Sequence, residues 1–365
     1  MLSVLVVSPN PAVPGGVSTF IECMKRHVTR CRVDSFYVGS SGNGDASVWD
    51  MAKRLIVAPL KLAFLVRRKK YDVVHINPSF DVKSLIRDGL LVLALRATGF
   101  RHILFYYHGG NLALQHRIAQ SPFWSRLVAW MLNRNALLLV LGENFRAALL
   151  AIGVDASRIV ITRTMFEGSG LRAVKDEPSK AVRRFILFLS RFDREKGGRE
   201  LLQAFAAVRN EFPDVDLIMA GDGEDMRPLR HIAQQLDLLN RTIFTGYIGG
   251  VEKWRLLRDC TLFALPTYFR GEGMPVAILE AMGAGKPLLV GAAGSIRTIV
   301  TEPENGLILE DVTVETVQKG LQRLLGDVQF IDRAGKHNAD TAWKKFEANI
   351  VTAELEDIYQ QVAKC

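Results

Sequence analysis

Short apolar runs bounded by Gly, Pro, Asn or Asp recur along the chain, with stretches of helical length between them. LSVLVVS, VDSFYVG, DVVHIN, HILFYYHG and ALLLVLG fall in the first half, and RFILFLS, VDLIMAG, TIFTGY, CTLFALP and KPLLVGA in the second. Strand and helix alternating in this way predict parallel sheets covered on both faces, and the pattern occurs twice. The expected fold is therefore α/β, with two Rossmann-like, doubly wound domains. Residues 166–182, FEGSGLRAVKDEPSKAV, are rich in Gly, Ser, Lys and Pro without a clear period and read as a linker. The domains are then 1–165 and 183–345, with an amphipathic closing helix over 346–365 expected to pack back across both. Two such sheets facing one another would enclose a cleft.

A chain of 365 residues is comfortable for two domains, and its 48% hydrophobic and 23% charged residues exclude disorder. The segment LIRDGLLVLALRATG is interrupted by Arg87, Asp88 and Arg96, so it reads as a core helix rather than a membrane span. Cys23, Cys31, Cys260 and Cys365 have neither metal-ligand spacing nor disulfide density. MLSVLVVSPNP lacks the basic start of a signal peptide. Both features point to the cytoplasm. The net charge of +9 is uneven: residues 1–165 hold 21 Lys and Arg against 9 Asp and Glu, or +12, leaving −3 for the rest. PLKLAFLVRRKKYD sets basic residues beside an apolar stretch, which suits the inner, anionic surface of a cell membrane. A solvated helix end whose cations favour the C-terminal dipole fits equally well. No nucleic-acid motif accompanies the charge.

In open α/β sheets ligands bind beyond the carboxyl ends of the strands. One such loop, FRGEGMPVAILEAMGAGKP, carries Glu272 before Pro275 and Glu280 after it. Proline suits a first helical position, and the helix start offers N–H groups and a positive dipole end to a phosphate. A carboxylate in the second helical turn is placed to hold vicinal hydroxyls such as those of ribose; a surface loop charge and a solvated helix residue would show the same spacing. In LSRFDREKGG, Arg191 and Lys196 supply a fork-shaped and a point cation, together suited to a diphosphate.

The succession S-R-F-D-R-E-K-G, MAGDGED, FTGYIGG and FALPTYFRGEGMPVAILEAMGAGKPLLVG resembles the retaining nucleotide-sugar glycosyltransferases of family 4, whose fold is GT-B. The match is strong over about residues 183–310 and includes the E-x7-E pattern at Glu272 and Glu280. The resemblance implies that Arg191 and Lys196 bind the donor diphosphate, that Glu280 holds the ribose, and that Glu272, Gly273 and Met274 contact the transferred sugar. It also implies that Gly246 and Tyr247 line the base, that Gly15 and Gly16 allow close approach of donor or acceptor, and that His108 meets the donor sugar. Asn77 and Asn111 are acceptor-side candidates on position alone. The chain departs from the family in having TRTMFEG before the linker and an extra Gly271, which affects contacts near Thr164 and the reach of Glu272.

These residues imply transfer of a hexose-type sugar to a hydroxyl of a glycan or lipid-linked acceptor, as in bacterial polysaccharide, lipopolysaccharide or glycolipid assembly. Neither a cofactor nor a metal is expected: Asp214 and Asp216 have D-x-D spacing but fall at the start of a strand, away from its carboxyl end. A GT-B epimerase and a non-catalytic nucleotide-sugar sensor are the alternatives. A nicotinamide dehydrogenase would need G-x-G-x-x-G in the first turn, which Pro14-Gly15-Gly16 does not supply.

Overall fold

The computed structural model describes residues 1–10, 15–38, 48–134, 137–179 and 181–364, with the backbone alone for 48–54. Residues 11–14 of the first Gly-rich loop lie outside the described residues. The chain divides into two compact units, Met1–Met165 with Ala348–Cys365, and Phe166–Glu347.

In the first unit, β1 (Leu2–Ser8), β2 (Cys31–Tyr37), β3 (Val73–Ile76), β4 (Ile103–Tyr107), β5 (Leu137–Val140) and β6 (Ile159–Ile161) form a parallel sheet in the order β2-β1-β3-β4-β5-β6. Right-handed crossovers explain its layers. The helices Val48–Lys69, Val82–Ala97, Leu112–Ala119, Pro122–Leu132 and Glu143–Ile152 cover one face, where Leu5, Val7, Val74, Ile76, Phe105 and Val140 are buried. Helix Gly16–His27 and the closing helix Ala348–Lys364 pack together on the other side, the latter touching β1 and β3. Covering both faces is why β1 is an unbroken apolar run: Val4 to Val7 are all fully buried, each worth about 1.5–3 kcal/mol.

The second unit repeats the plan. Strands β7 (Arg184–Leu189), β8 (Val215–Ala220), β9 (Thr242–Gly246), β10 (Leu262–Leu265), β11 (Leu288–Gly291) and β12 (Gly306–Leu309) are parallel, in the order β12-β11-β10-β7-β8-β9. The sheets meet the α/β expectation with six strands each rather than five. Strands β6, of three residues, and β12, of four, are absent from the runs read in the sequence.

Three local readings change. Residues 166–182 hold a helix, Ser169–Val174, and belong to the second unit. Their glycines serve contact rather than looseness: a Cβ on Gly168 would lie 2.4 Å from the Trp343 ring, and one on Gly170 would lie 1.9 Å from Trp254 Nε1. The closing helix begins at Ala348 and lies with the first unit, burying Val351, Leu355, Tyr359 and Val362. The Val82 helix is a core helix on one side only: Leu91, Val92 and Leu95 are buried, whereas Val82, Ile86, Leu90 and Leu93 are exposed. Among the described residues no helix is long and apolar enough to cross a membrane.

Candidate active site

In the second unit the loops after the neighbouring strands β7 and β10 are tied together. The β7 loop makes a single 3-10 turn, Arg194–Lys196, and leaves it through Gly197 at φ +77°. A Cβ at Gly197 would sit 2.0 Å from the Pro266 carbonyl oxygen, so only glycine lets the two loops approach. Across the contact, Tyr268 N donates to the Glu195 carbonyl at 2.9 Å and Thr267 Oγ1 donates to it at 3.1 Å.

This contact brings Lys196 to Glu272. Lys196 Nζ and Glu272 Oε2 form an ion pair whose side chains are only 12% and 13% exposed. The Thr267 hydroxyl, whose one hydrogen can go to the Glu195 carbonyl or to this carboxylate, lies 3.4 Å from the same Oε2, and the ammonium lies 5.2 Å from the centre of the Phe269 ring. The Glu272 backbone is held at both ends, its N–H by the Phe269 carbonyl at 3.0 Å and its carbonyl by Ser295 N at 3.1 Å. A Cβ on Gly294, at φ +55°, would collide with that carbonyl. Gly273 and Met274 are buried immediately after.

Pro275 is the cap of helix Val276–Gly283, one residue earlier than the first-helical position expected for it. Its carbonyl accepts from Ile278 N at 3.0 Å. The Val276 and Ala277 N–H groups have no acceptor further back in the helix, so the helix start keeps donors and a positive dipole end. One turn further in, Glu280 is buried and paired with Lys253 Nζ at 2.5 Å. Burial pushes its carboxyl pKa up, while Lys253 pulls the other way. Lys253 also lies 4.0 Å from the centre of the Trp254 ring.

Arg191 is 73% exposed and paired with Asp193 at 2.6 Å. The Gly221–Gly223 loop after β8 presses on the β7 loop, since a Cβ at Gly221 would lie 1.8 Å from the Ser190 carbonyl oxygen. Gly221 N donates to the Gly246 carbonyl at 2.9 Å, and Tyr247 beyond it is 77% exposed. Asp214 and Asp216, at the amino end of β8, are paired with Arg184, and with Arg183 and Arg241.

In the first unit His108 follows β4, half-buried between Tyr106, stacked at 4.4 Å, and Phe20, edge-on at 4.7 Å. Its Nε2 is 2.8 Å from Asn77 Oδ1. The Asn77 amide nitrogen donates to the Val7 carbonyl at 3.1 Å, which leaves Oδ1 only the role of acceptor. His108 therefore carries its proton on Nε2 and keeps a lone pair at Nδ1. Desolvation, with His75 nearby, holds its pKa below the usual imidazole range.

Both acceptor-side asparagines have structural partners. Asn77 is buried, with its amide committed to Val7 and His108. Asn111 caps helix Leu112–Ala119, its Oδ1 accepting from Leu114 N at 2.9 Å. Gly15 and Gly16 open helix Gly16–His27 in extended and helical backbone, and a Cβ on either would meet nothing within 4 Å. Among the described residues nothing requires glycine at these positions.

A family model described as "Glycosyl transferase 4-like domain" matches residues 3–163, and one described as "Glycosyl transferases group 1" matches residues 172–340. Together they cover both units. The chain belongs to the group 1, family 4-like glycosyltransferases. Within this family it is 20% identical over 311 residues to N-acetyl-alpha-D-glucosaminyl L-malate synthase of Bacillus anthracis, covering 83% of this chain and 78% of that one. It is 27% identical over 178 residues, 47% of each chain, to a GDP-mannose-dependent alpha-(1-6)-phosphatidylinositol monomannoside mannosyltransferase of Mycolicibacterium smegmatis. Several other curated relatives are also matched over only about half their length. The structure of Anabaena HepE in complex with UDP and glucose superposes with a TM-score of 0.76 at 18% identity, covering 99% of this chain and 100% of that one. That likeness carries the GT-B fold of this glycosyltransferase.

Two residues of the candidate site escape sequence reasoning. Lys253 reaches Glu280 from helix Gly250–Asp259, 27 positions away, and Thr267 reaches Glu272 by its position at the exit of β10. Neither stands in a local pattern that marks it.

Proposed function

We propose that this glycosyltransferase moves a hexose-type sugar from a nucleotide diphosphate donor to a hydroxyl of a glycan or lipid-linked acceptor, with retention at the anomeric carbon. The observation that carries the reading is the Lys196–Glu272 pair beside the start of the Val276 helix, with Glu280 one turn further in. A diphosphate entering there competes with Glu272 for the Lys196 ammonium, with Arg191 supplying the second cation. Glu272, released, accepts hydroxyl hydrogen bonds from the sugar, which the backbone of Gly273 and Met274 also contacts. Glu280, already desolvated, accepts from the ribose hydroxyls, and Tyr247 covers the base. Charge building on the departing phosphate is met by Lys196 and the helix N–H groups without a metal.

His108 serves the sugar as a hydrogen-bond acceptor through Nδ1, a role its depressed pKa preserves. Gly15 and Gly16, which no contact among the described residues demands, leave room for donor or acceptor. The relatives' names include N-acetylglucosamine and GDP-mannose, and HepE binds UDP, so the base and sugar are set by loop contacts that vary among such proteins. The phosphatidylinositol mannoside acceptor named for one relative supports a lipid-linked acceptor, and the +12 balance of residues 1–165 supports work at an anionic membrane.

The test is slow donor hydrolysis in the absence of acceptor. Release of nucleoside diphosphate from one of the UDP-, GDP- or ADP-sugars, lost in both Lys196→Ala and Glu272→Ala, is expected. Release that survives both substitutions would remove the site from the chemistry, and donor binding without any release would favour a sensor.

A further inference from the structure

We propose that Lys253 is a positioning residue for the nucleotide ribose: it holds Glu280 by one carboxylate oxygen and leaves the other to the ribose hydroxyls, so that the site selects ribonucleotides over their deoxy forms. The inference rests on the proposed role of Glu280 and deepens it by assigning the group that maintains it.

Glu280 interrupts a buried apolar stretch. Ile278, Leu279, Ala281 and Met282 have no exposed surface, and the Glu280 side chain is only 6% exposed. A carboxylate in such surroundings takes up a proton unless a cation or a hydrogen-bond donor replaces the lost water. Lys253 is both. Its Nζ stands 2.5 Å from Oε1, and among the described residues it is the charged group that opposes the effect of burial on this carboxyl. Oε2 accepts from no described residue, yet it is not sealed from solvent. One oxygen is therefore committed, and the other is left to receive a hydroxyl from a ligand.

The lysine is itself held in place. It lies in the first turn of helix Gly250–Asp259, which opens directly after the loop carrying Tyr247. Its ammonium rests against the ring of Trp254, which is buried and pressed against Gly170, where no side chain would fit. The segment 166–182 thus supports the ribose carboxylate through Trp254 and Lys253. Stability alone does not call for this pair, because a buried ion pair contributes little more than an apolar pair of similar volume. A ribose site does, since hydrogen bonds to an ionised acceptor are about twice as strong as those to a neutral one.

The experiment measures dissociation constants of the full chain for UDP, GDP and ADP, each beside its 2′-deoxy and 3′-deoxy forms. The nucleotide that binds should be preferred over at least one of its deoxy forms by at least about tenfold, the scale of one hydrogen bond to a charged group. Lys253→Met should lose that preference at about pH 6 and regain it toward about pH 9, because the buried carboxyl without its cation ionises only in alkali. The unaltered protein and Lys253→Arg should keep the preference throughout. Lys253→Gln, which retains a donor without the charge, should repeat the pH dependence should the methionine variant not fold. In a Glu280→Gln background, where no charge is left to compensate, Lys253→Met should change the preference no further. A full preference at about pH 6 in folded Lys253→Met, with the preference lost in Glu280→Gln, would overturn the role of Lys253 and leave Glu280 at the ribose. A preference that survives Glu280→Gln, or no preference in the unaltered protein, would overturn the ribose reading and this inference with it.

Discussion

Glu272 and Glu280 stand eight residues apart, and their surroundings give them different tasks. Glu272 shares its carboxylate with a cation and a hydroxyl in a half-open loop, whereas Glu280 is buried against a lysine inside a helix. If a donor diphosphate takes Lys196 from Glu272, removing the Glu272 charge should ease nucleotide entry and still slow transfer. Glu272→Gln is expected to bind nucleoside diphosphate as tightly as the unaltered protein or more tightly, with transfer at least about tenfold lower, the scale of a lost charge-assisted hydrogen bond. Titration calorimetry beside a transfer assay checks this, and a matching loss of both would contradict the exchange of partners. A spaced pattern singled out the two carboxylates and Lys196 in the sequence, but not the partners the fold gives them. Position after a strand does not reveal what an amide bonds to, and the partners of Asn77 and Asn111 were not visible in the sequence.

At the scale of elements, the site depends on two loops held in contact by residues that have no side chain to show for it. Gly197 is the clearest case, combining a left-handed backbone with contact against the Pro266 carbonyl. Gly197→Ala should destabilise the second unit by about 1–3 kcal/mol and weaken donor binding, because the loop carrying Lys196 must move. A chemical denaturation midpoint lowered together with nucleotide affinity would bear this out; lowered stability with affinity intact would separate the loop from the site. The strand and helix alternation was readable because strands covered on both faces are apolar at every position. The 166–182 segment was not, since glycine for close contact with Trp254 and Trp343 looks in sequence like glycine for flexibility. Short β6 and β12 complete their sheets through neighbours rather than through pattern.

At the scale of the whole molecule, buried imidazoles make stability depend on acid. His75 is completely buried, its Nδ1 2.7 Å from the Tyr359 hydroxyl of the closing helix, and burial pushes its pKa down to about 3. The unfolded chain, with an ordinary histidine pKa near about 6.5, binds the proton more readily. This contribution is therefore present in full above about pH 6.5 and is lost as pH falls toward 3. His108, held below the ordinary range, acts in the same direction. Thermal unfolding of the unaltered protein should shift downward between pH 6.5 and 4, and His75→Gln should flatten that dependence. An unchanged slope in the variant would place the acid sensitivity elsewhere.

The central claim is that the second unit binds a nucleotide diphosphate sugar through Lys196. Its most direct test is a thermal-shift screen of the unaltered protein and Lys196→Ala against UDP, GDP, ADP and their sugars, because a ligand that binds only the folded state raises its melting temperature. The account predicts that one nucleotide series stabilises the unaltered protein in a concentration-dependent way and that Lys196→Ala, folded as judged by its own melt, loses the shift. No shift with any nucleotide, or an equal shift in the variant, would contradict it.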